Sequence, residues 1–186
     1  VSTQAAAIAF LTAHGADRIE HPGGTLLAHL VRTAQRLESW QARSELVLAG
    51  LCHAAYGTDG FPVPLVELRQ RATLAAVIGT AAEAIVYAYC ASDRSHEMPS
   101  SDSSTLRDRF TGALMTPSAE LLAAFVELTC ANEIDVLLHS PSLLASAGPD
   151  IARLLHTCQP MASVAASRAI DEALLTVGLR SHHPAK

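Results

Sequence analysis

"SELVLAGLCHAA", residues 44–55, decides the fold. Ser44 opens a helix that is apolar on nearly every side, and such a helix has to be enclosed by others rather than laid on a surface. A bilayer span needs about 18 uninterrupted apolar residues. Neither this segment nor any other in the sequence reaches that length. The segment therefore reads as the centre of a helical bundle, with His53 near the middle of the molecule. Gly57, Gly60 and Pro62 turn the chain into a loop after it.

Toward the N-terminus, Thr25 is a good cap for a helix running to about residue 41. Leu26, Leu27, Leu30, Ala34 and Leu37 fall at helical spacing, and His29 lies close to their stripe. "DRIEHPGG", residues 17–24, reads as the loop leading to it. A first helix, capped by Thr3 and closed by Gly15, precedes that loop. Its apolar start, "AAAIAFLTA", lacks a basic region before it and runs into charged residues, so it is read as helix and not as a signal peptide.

Toward the C-terminus, residues 64–92 read as one short helix and two longer ones, broken near Gln70 and Gly79. "SHEMPSSDSST", residues 95–105, is a polar surface loop, too short for an interdomain linker. A short hairpin is expected near 107–116. Ser118 then caps a long helix to about residue 140, which carries "CANEID". Two last helices, near 149–156 and 160–179, precede a frayed tail at 181–186. The expected fold is all-α, one helical domain over residues 1–180.

Composition narrows the function. The 13 Lys and Arg are scattered and the net charge is −5, so no basic surface is offered to nucleic acid. Cys52, Cys90, Cys130 and Cys158 form no CxxC pair and sit in apolar helical contexts, which fits a reducing cytoplasm. Abundant alanine suits a high-GC bacterial source, where a small enzyme of specialised metabolism is expected. An exposed leucine-bearing face would serve a homodimer.

Three features then stand in order: "AHLVRTA" with His29, "LAGLCHAA" with His53, and "TCANEID" with Asn132. Over roughly residues 23–139 this order resembles the HD superfamily of metal-dependent phosphohydrolases. There, a first His, an adjacent His-Asp pair and a distant Asp on a later helix converge on divalent metal. With "HPGGTLLAHL" and "HAAYGTDGF", the chain is similar to a bacterial HD-like family with a His-x-x-Tyr-Gly-Thr-x-x-Phe signature. That resemblance implies a fold and no particular reaction. The chain departs from the superfamily at both carboxylates: Ala54 has no donor atom, and Asn132 offers a neutral carbonyl.

Two readings of the site are open. In one, His21, His29 and His53 hold a single iron, manganese or zinc ion, with Glu133, Asp135 or Asp59 supplying an oxygen. The 100° helical step, however, is expected to turn Glu133 away from Asn132. In the other, preferred here, no cofactor is needed. His29 and His53 face each other across a mostly apolar pocket and move protons on a small-molecule substrate, with Tyr56 as a third catalytic group. Thr58, Asp93, Arg94 and Asn132 are the expected substrate-binding residues. Each also has a plain structural role open to it: a satisfied core histidine, a helix-end tyrosine, a helix-end ion pair, a buried amide.

The functions that follow are isomerisation, cyclisation, elimination or hydrolysis of a small apolar molecule, or simple binding of an apolar ligand in the same cavity. A phosphohydrolase with substitute ligands is disfavoured, because no lysine cluster or arginine clamp makes up for the missing charge.

Overall fold

The computed structural model describes residues 2–93 and 105–179. Arg94, the expected loop up to residue 104 and the tail at 181–186 lie outside the described residues. The order of elements is α1 (Thr3–Ala13), β1 (Glu20–His21), β2 (Gly24–Thr25), α2 (Leu26–Ser39), α3 (Ser44–Cys52), α4 (Arg71–Ile78) and α5 (Thr80–Ala91). It continues with β3 (Leu106–Arg107), β4 (Leu114–Met115), α6 (Ala119–His139), α7 (Pro141–Cys158) and α8 (Val164–Thr176). Two 3-10 turns, Leu68–Gln70 and Gln159–Met161, complete it. Among the described residues the fold is all-α, apart from two antiparallel pairs of two-residue strands.

α3 is the centre. Every residue from Leu46 to Cys52 is buried, which is why this segment is apolar all round. α2 and α5 pack against it, and α6 reaches it from the α2 side while carrying α7 and α8 on its outer flank. Gly50 makes the α2–α3 contact close, since a Cβ there would run into the Leu37 side chain. α2 is amphipathic in the usual way: Leu26, His29, Leu30, Thr33 and Leu37 are buried along one stripe.

Several boundaries differ from the sequence reading. Ser2, not Thr3, caps α1, its hydroxyl accepting from the Ala5 amide at 3.2 Å. "DRIEHPGG" is not a plain loop but the β1–β2 hairpin, with Glu20 opposite Thr25 and His21 opposite Gly24. Pro22 and Gly23 form its turn: proline presets φ at the first corner, and Gly23, at φ +82°, supplies the positive value that the second corner requires. Pro149 does not open a helix. It lies inside α7, whose start is capped by Ser140 with Pro141 in the first turn, where its missing N–H costs nothing. The last helix starts later than Pro160, at a cap formed by Ser163. The 106–115 hairpin is present as β3–β4. Among the described residues, no helix is long and apolar enough to cross a membrane.

Candidate functional site

Thr25 caps α2 through its hydroxyl, 3.2 Å from the Ala28 amide, and so fixes where His29 emerges on the buried stripe. His53 is the C-cap of α3. Asn132 and Asp135 lie three residues apart on α6, hence on one face, as do His29 and Arg32 on α2. Where the three helices meet, the side chains form one connected network.

Its geometry allows the protons to be placed. Asp135 Oδ2 lies 2.7 Å from His29 Nδ1, and both Asp135 oxygens are gripped by Arg32, Nε to Oδ1 at 2.8 Å and Nη2 to Oδ2 at 2.9 Å. Burial alone would push this carboxyl up, but the hydrogen bonds from His29 and Arg32 outweigh it and hold Asp135 well below the usual carboxylate range. An ionised carboxylate only accepts, so His29 Nδ1 carries a proton. His53 Nδ1 lies 2.7 Å from the Gly50 carbonyl, which also only accepts, so this nitrogen carries one too. The Asn132 amide nitrogen donates to Glu133 Oε1 at 3.0 Å, which turns its oxygen the other way.

With those three groups fixed from behind, three acceptor positions converge: His29 Nε2, His53 Nε2 and Asn132 Oδ1. His29 Nε2 is 3.2 Å from His53 Nε2 and 3.0 Å from Asn132 Oδ1. Lone pairs at that separation repel unless a positive charge lies between them. One proton on His29 Nε2 serves both neighbours, whereas the same proton on His53 would leave His29 facing the Asn132 oxygen lone pair to lone pair. The geometry therefore suits His29 as the donor at Nε2, backed by Asp135, and His53 as the acceptor.

These groups line a cavity of about 210 Å³. Pro22, Ala54, Phe61, Val136, Leu143 and Ile151 make up its apolar wall, and Thr58 and Glu133 join the polar side. Among the described residues, neither Lys nor Arg lines it. The β1–β2 hairpin roofs it: the His21 ring stacks on His29 with centroids 4.2 Å apart and planes 18° from parallel, and meets the edge of Phe61 at 5.1 Å. Burial, and then the charge of His29, brings His21 down to about 4. The loop after α3 delivers Phe61 by doubling back, with the Thr58 and Phe61 amides each bonded to the other's carbonyl and Gly57 at φ +69°.

The structure thus brings together His21, His29, His53, Thr58 and Asn132, and sets other expected residues apart. Tyr56 does not face the cavity. Its hydroxyl donates to Glu83 at 2.9 Å, in a separate buried knot where Arg71 forks onto the same carboxylate and stacks over the Tyr87 ring. Burial and the Glu83 carboxylate push the Tyr56 phenol up. Asp93 does not line the cavity either; its amide pairs with the Arg107 carbonyl beside the second hairpin. Arg94 lies outside the described residues.

Glu133 corrects another expectation. One helical step separates it from Asn132, yet its longer side chain curls back to accept from the Asn132 amide. Arg32 and the supporting role of Asp135 escaped the sequence reading, although the i, i+3 pairs His29–Arg32 and Asn132–Asp135 were there to suggest them.

A divalent ion fits this donor set poorly. Of the four positions implied by the HD resemblance, Ala54 has no donor and Asn132 is neutral, while Asp135 is turned to the back of His29 and Glu133 is engaged by the Asn132 amide. His21 cannot complete the set, because the in-plane lone pairs of two near-parallel rings run side by side and do not meet at one ion. Among the described residues, no group of three His, Cys, Asp or Glu side chains is placed to hold a metal.

No curated protein and no solved structure matches the chain. A family model described as a domain of unknown function (DUF6817) matches residues 10–94. The chain is similar to that family over the stretch that carries His21, His29 and His53, while Asn132 and Asp135 lie beyond it.

Proposed function

We propose that the chain is a small-molecule enzyme working by histidine acid–base chemistry without a bound metal, on a fold related to the HD phosphohydrolases whose metal centre has lost its carboxylates. The observation that carries this reading is the pair of Nε2 atoms 3.2 Å apart, each locked from behind, at the wall of a cavity. His29 is the acid: its outer N–H is polarised by the Asp135 carboxylate on the other nitrogen, which also fixes ring orientation. His53 is the base, its lone pair held outward by the Gly50 carbonyl. Asn132 orients a polar group of the substrate, and the apolar wall excludes water.

The substrate is neutral or weakly polar. Among the described residues neither Lys nor Arg lines the cavity, any charge on His29 is balanced by Asp135, and Arg32, the guanidinium in the network, is spent on the same carboxylate. A cavity of roughly 150 Å³ takes up a benzene-sized ligand. This one, at about 210 Å³, suits a molecule somewhat larger.

The test is turnover by chelator-treated protein on small esters, β-hydroxy carbonyl compounds and ketones. Turnover that survives chelation and is lost in His29→Gln and His53→Gln supports the reading. Turnover that needs an added dication overturns it. Tight binding of such molecules with no turnover of any would leave a ligand-binding protein, a role that the fully bonded rear nitrogens of both histidines would also serve.

A further inference from the structure

We infer that the His29–His53 pair is built to move a proton between carbon and oxygen on one face of a small neutral ketone or aldehyde, interconverting keto and enol forms. This rests on the acid–base reading above and narrows it to one reaction. Hydrolysis and elimination need a water to enter or a group to leave; proton transfer between neighbouring atoms of one substrate needs only an acid and a base side by side. From standard bond lengths, a carbonyl oxygen and its α-carbon are about 2.4 Å apart. Two nitrogens 3.2 Å apart, above one face of the substrate, span that separation.

The protons and electrons balance without a further reactant. His53 Nε2 takes the α-proton; the C–H pair becomes the C=C bond, the carbonyl π pair moves to oxygen, and oxygen takes the His29 Nε2 proton. His53 is then the imidazolium and His29 is neutral, still donating its Nδ1 proton to Asp135. With the enol released, the surplus proton returns from His53 Nε2 to His29 Nε2 across the same 3.2 Å gap. The site resets itself, and Asn132 Oδ1, 3.0 Å from His29 Nε2, favours the return because it accepts from the proton in its resting place.

The lining agrees. The roof is made by the His21 and Phe61 rings, set edge to face at 65°, and the walls are aliphatic, which suits a small substrate of low polarity.

The experiment is α-proton exchange of cyclohexanone and phenylacetone in D₂O, followed by NMR with the chelator-treated protein. Positioned acid–base groups contribute about 10²–10⁴ in rate. The wild type is therefore expected to exceed an equal concentration of free imidazole by about 100-fold or more, with His53→Gln and His29→Gln each returning to the imidazole rate. Should either variant fail to fold, titration of the wild type with phenol, an enol mimic, is read by ¹⁵N shifts at both imidazoles; both are expected to move together. Exchange no faster than free imidazole, or phenol that moves neither ring, overturns the inference. Ester or elimination turnover without exchange overturns it while leaving the acid–base reading intact, and absence of all turnover removes both.

Discussion

Nε2 of His29 and Nε2 of His53 face each other at 3.2 Å, and neither ring can turn away, because Asp135 holds one from behind and the Gly50 carbonyl holds the other. The pair is a junction of α2, α3 and α6, so its chemistry and the packing of the bundle are one problem. Substitutions in and around the network separate the two.

Asp135→Asn removes the charge that balances both His29 and Arg32 in a fully buried position. Breaking a buried pair on one side costs about 3–5 kcal/mol. Urea unfolding at pH 7 is expected to show a loss of that size, and an Asp135→Asn protein of unchanged midpoint would mean that the network is not closed as described.

His21 sets a pH dependence. In the folded chain it takes a proton only near pH 4, against 6.5 for a free histidine, so between those values the unfolded state holds more protons and stability rises with pH. Burial lowers it most, then the charge of His29; the Pro22 carbonyl and Asp135 oppose them, and Arg32 adds a smaller lowering. His21→Phe keeps a flat ring over His29 and removes the titration; its unfolding midpoint is expected to vary less than that of the wild type between pH 6.5 and 4. Asp135 contributes in a different window, since its lowered carboxyl loses its stabilising effect only as pH falls below the ordinary carboxylate range. Parallel curves for wild type and His21→Phe would refute the assignment.

Tyr56→Phe tests the separation of the two buried knots. Glu83 keeps its fork from Arg71 and loses one hydrogen bond, a change worth about 1 kcal/mol. Activity is expected to be untouched. A large drop in turnover at unchanged stability would restore Tyr56 to the catalytic group.

Gly23→Ala attacks the roof. A Cβ there would lie 2.6 Å from the His139 carbonyl oxygen, and the residue sits at φ +82°. Strain of this kind costs about 1–3 kcal/mol. The hairpin is expected to lift, taking His21 off His29; the loss of ring-current shifts on the two imidazoles measures it.

Ala54→Asp combined with Asn132→Asp supplies the two missing carboxylates at positions lining the cavity. Calorimetry with manganese or zinc is expected to show affinity raised at least about tenfold over the wild type, that is, about 1.4 kcal/mol. No gain would mean that the helices have moved out of the spacing a metal centre needs.

Much of this was legible in the chain itself. An apolar run with no polar face, as in residues 44–52, has to be central, and caps such as Thr25 and Ser118 mark helix starts because their hydroxyls are the nearest acceptors for unpaired amides. His29 and His53 stood out because each is a polar residue within or beside an apolar helical segment, and Asn132 because it falls at the distant position of the HD resemblance. Local pattern stopped short elsewhere. Pro149 looked like a helix start and lies inside a helix, since tertiary packing along α6 holds α7 together across it. Tyr56 and Thr58 are two residues apart, yet only Thr58 faces the cavity, because Gly57 turns the chain between them.

The amino-acid order by itself determined an all-α bundle around residues 44–52 and the residue types available to its pocket. Only the tertiary structure decided how each histidine nitrogen is partnered. That depends on what lies behind each ring, and Asp135 stands 106 residues from His29 in the chain. Hydrogen bonds act over about 3 Å of space, whatever the distance in sequence.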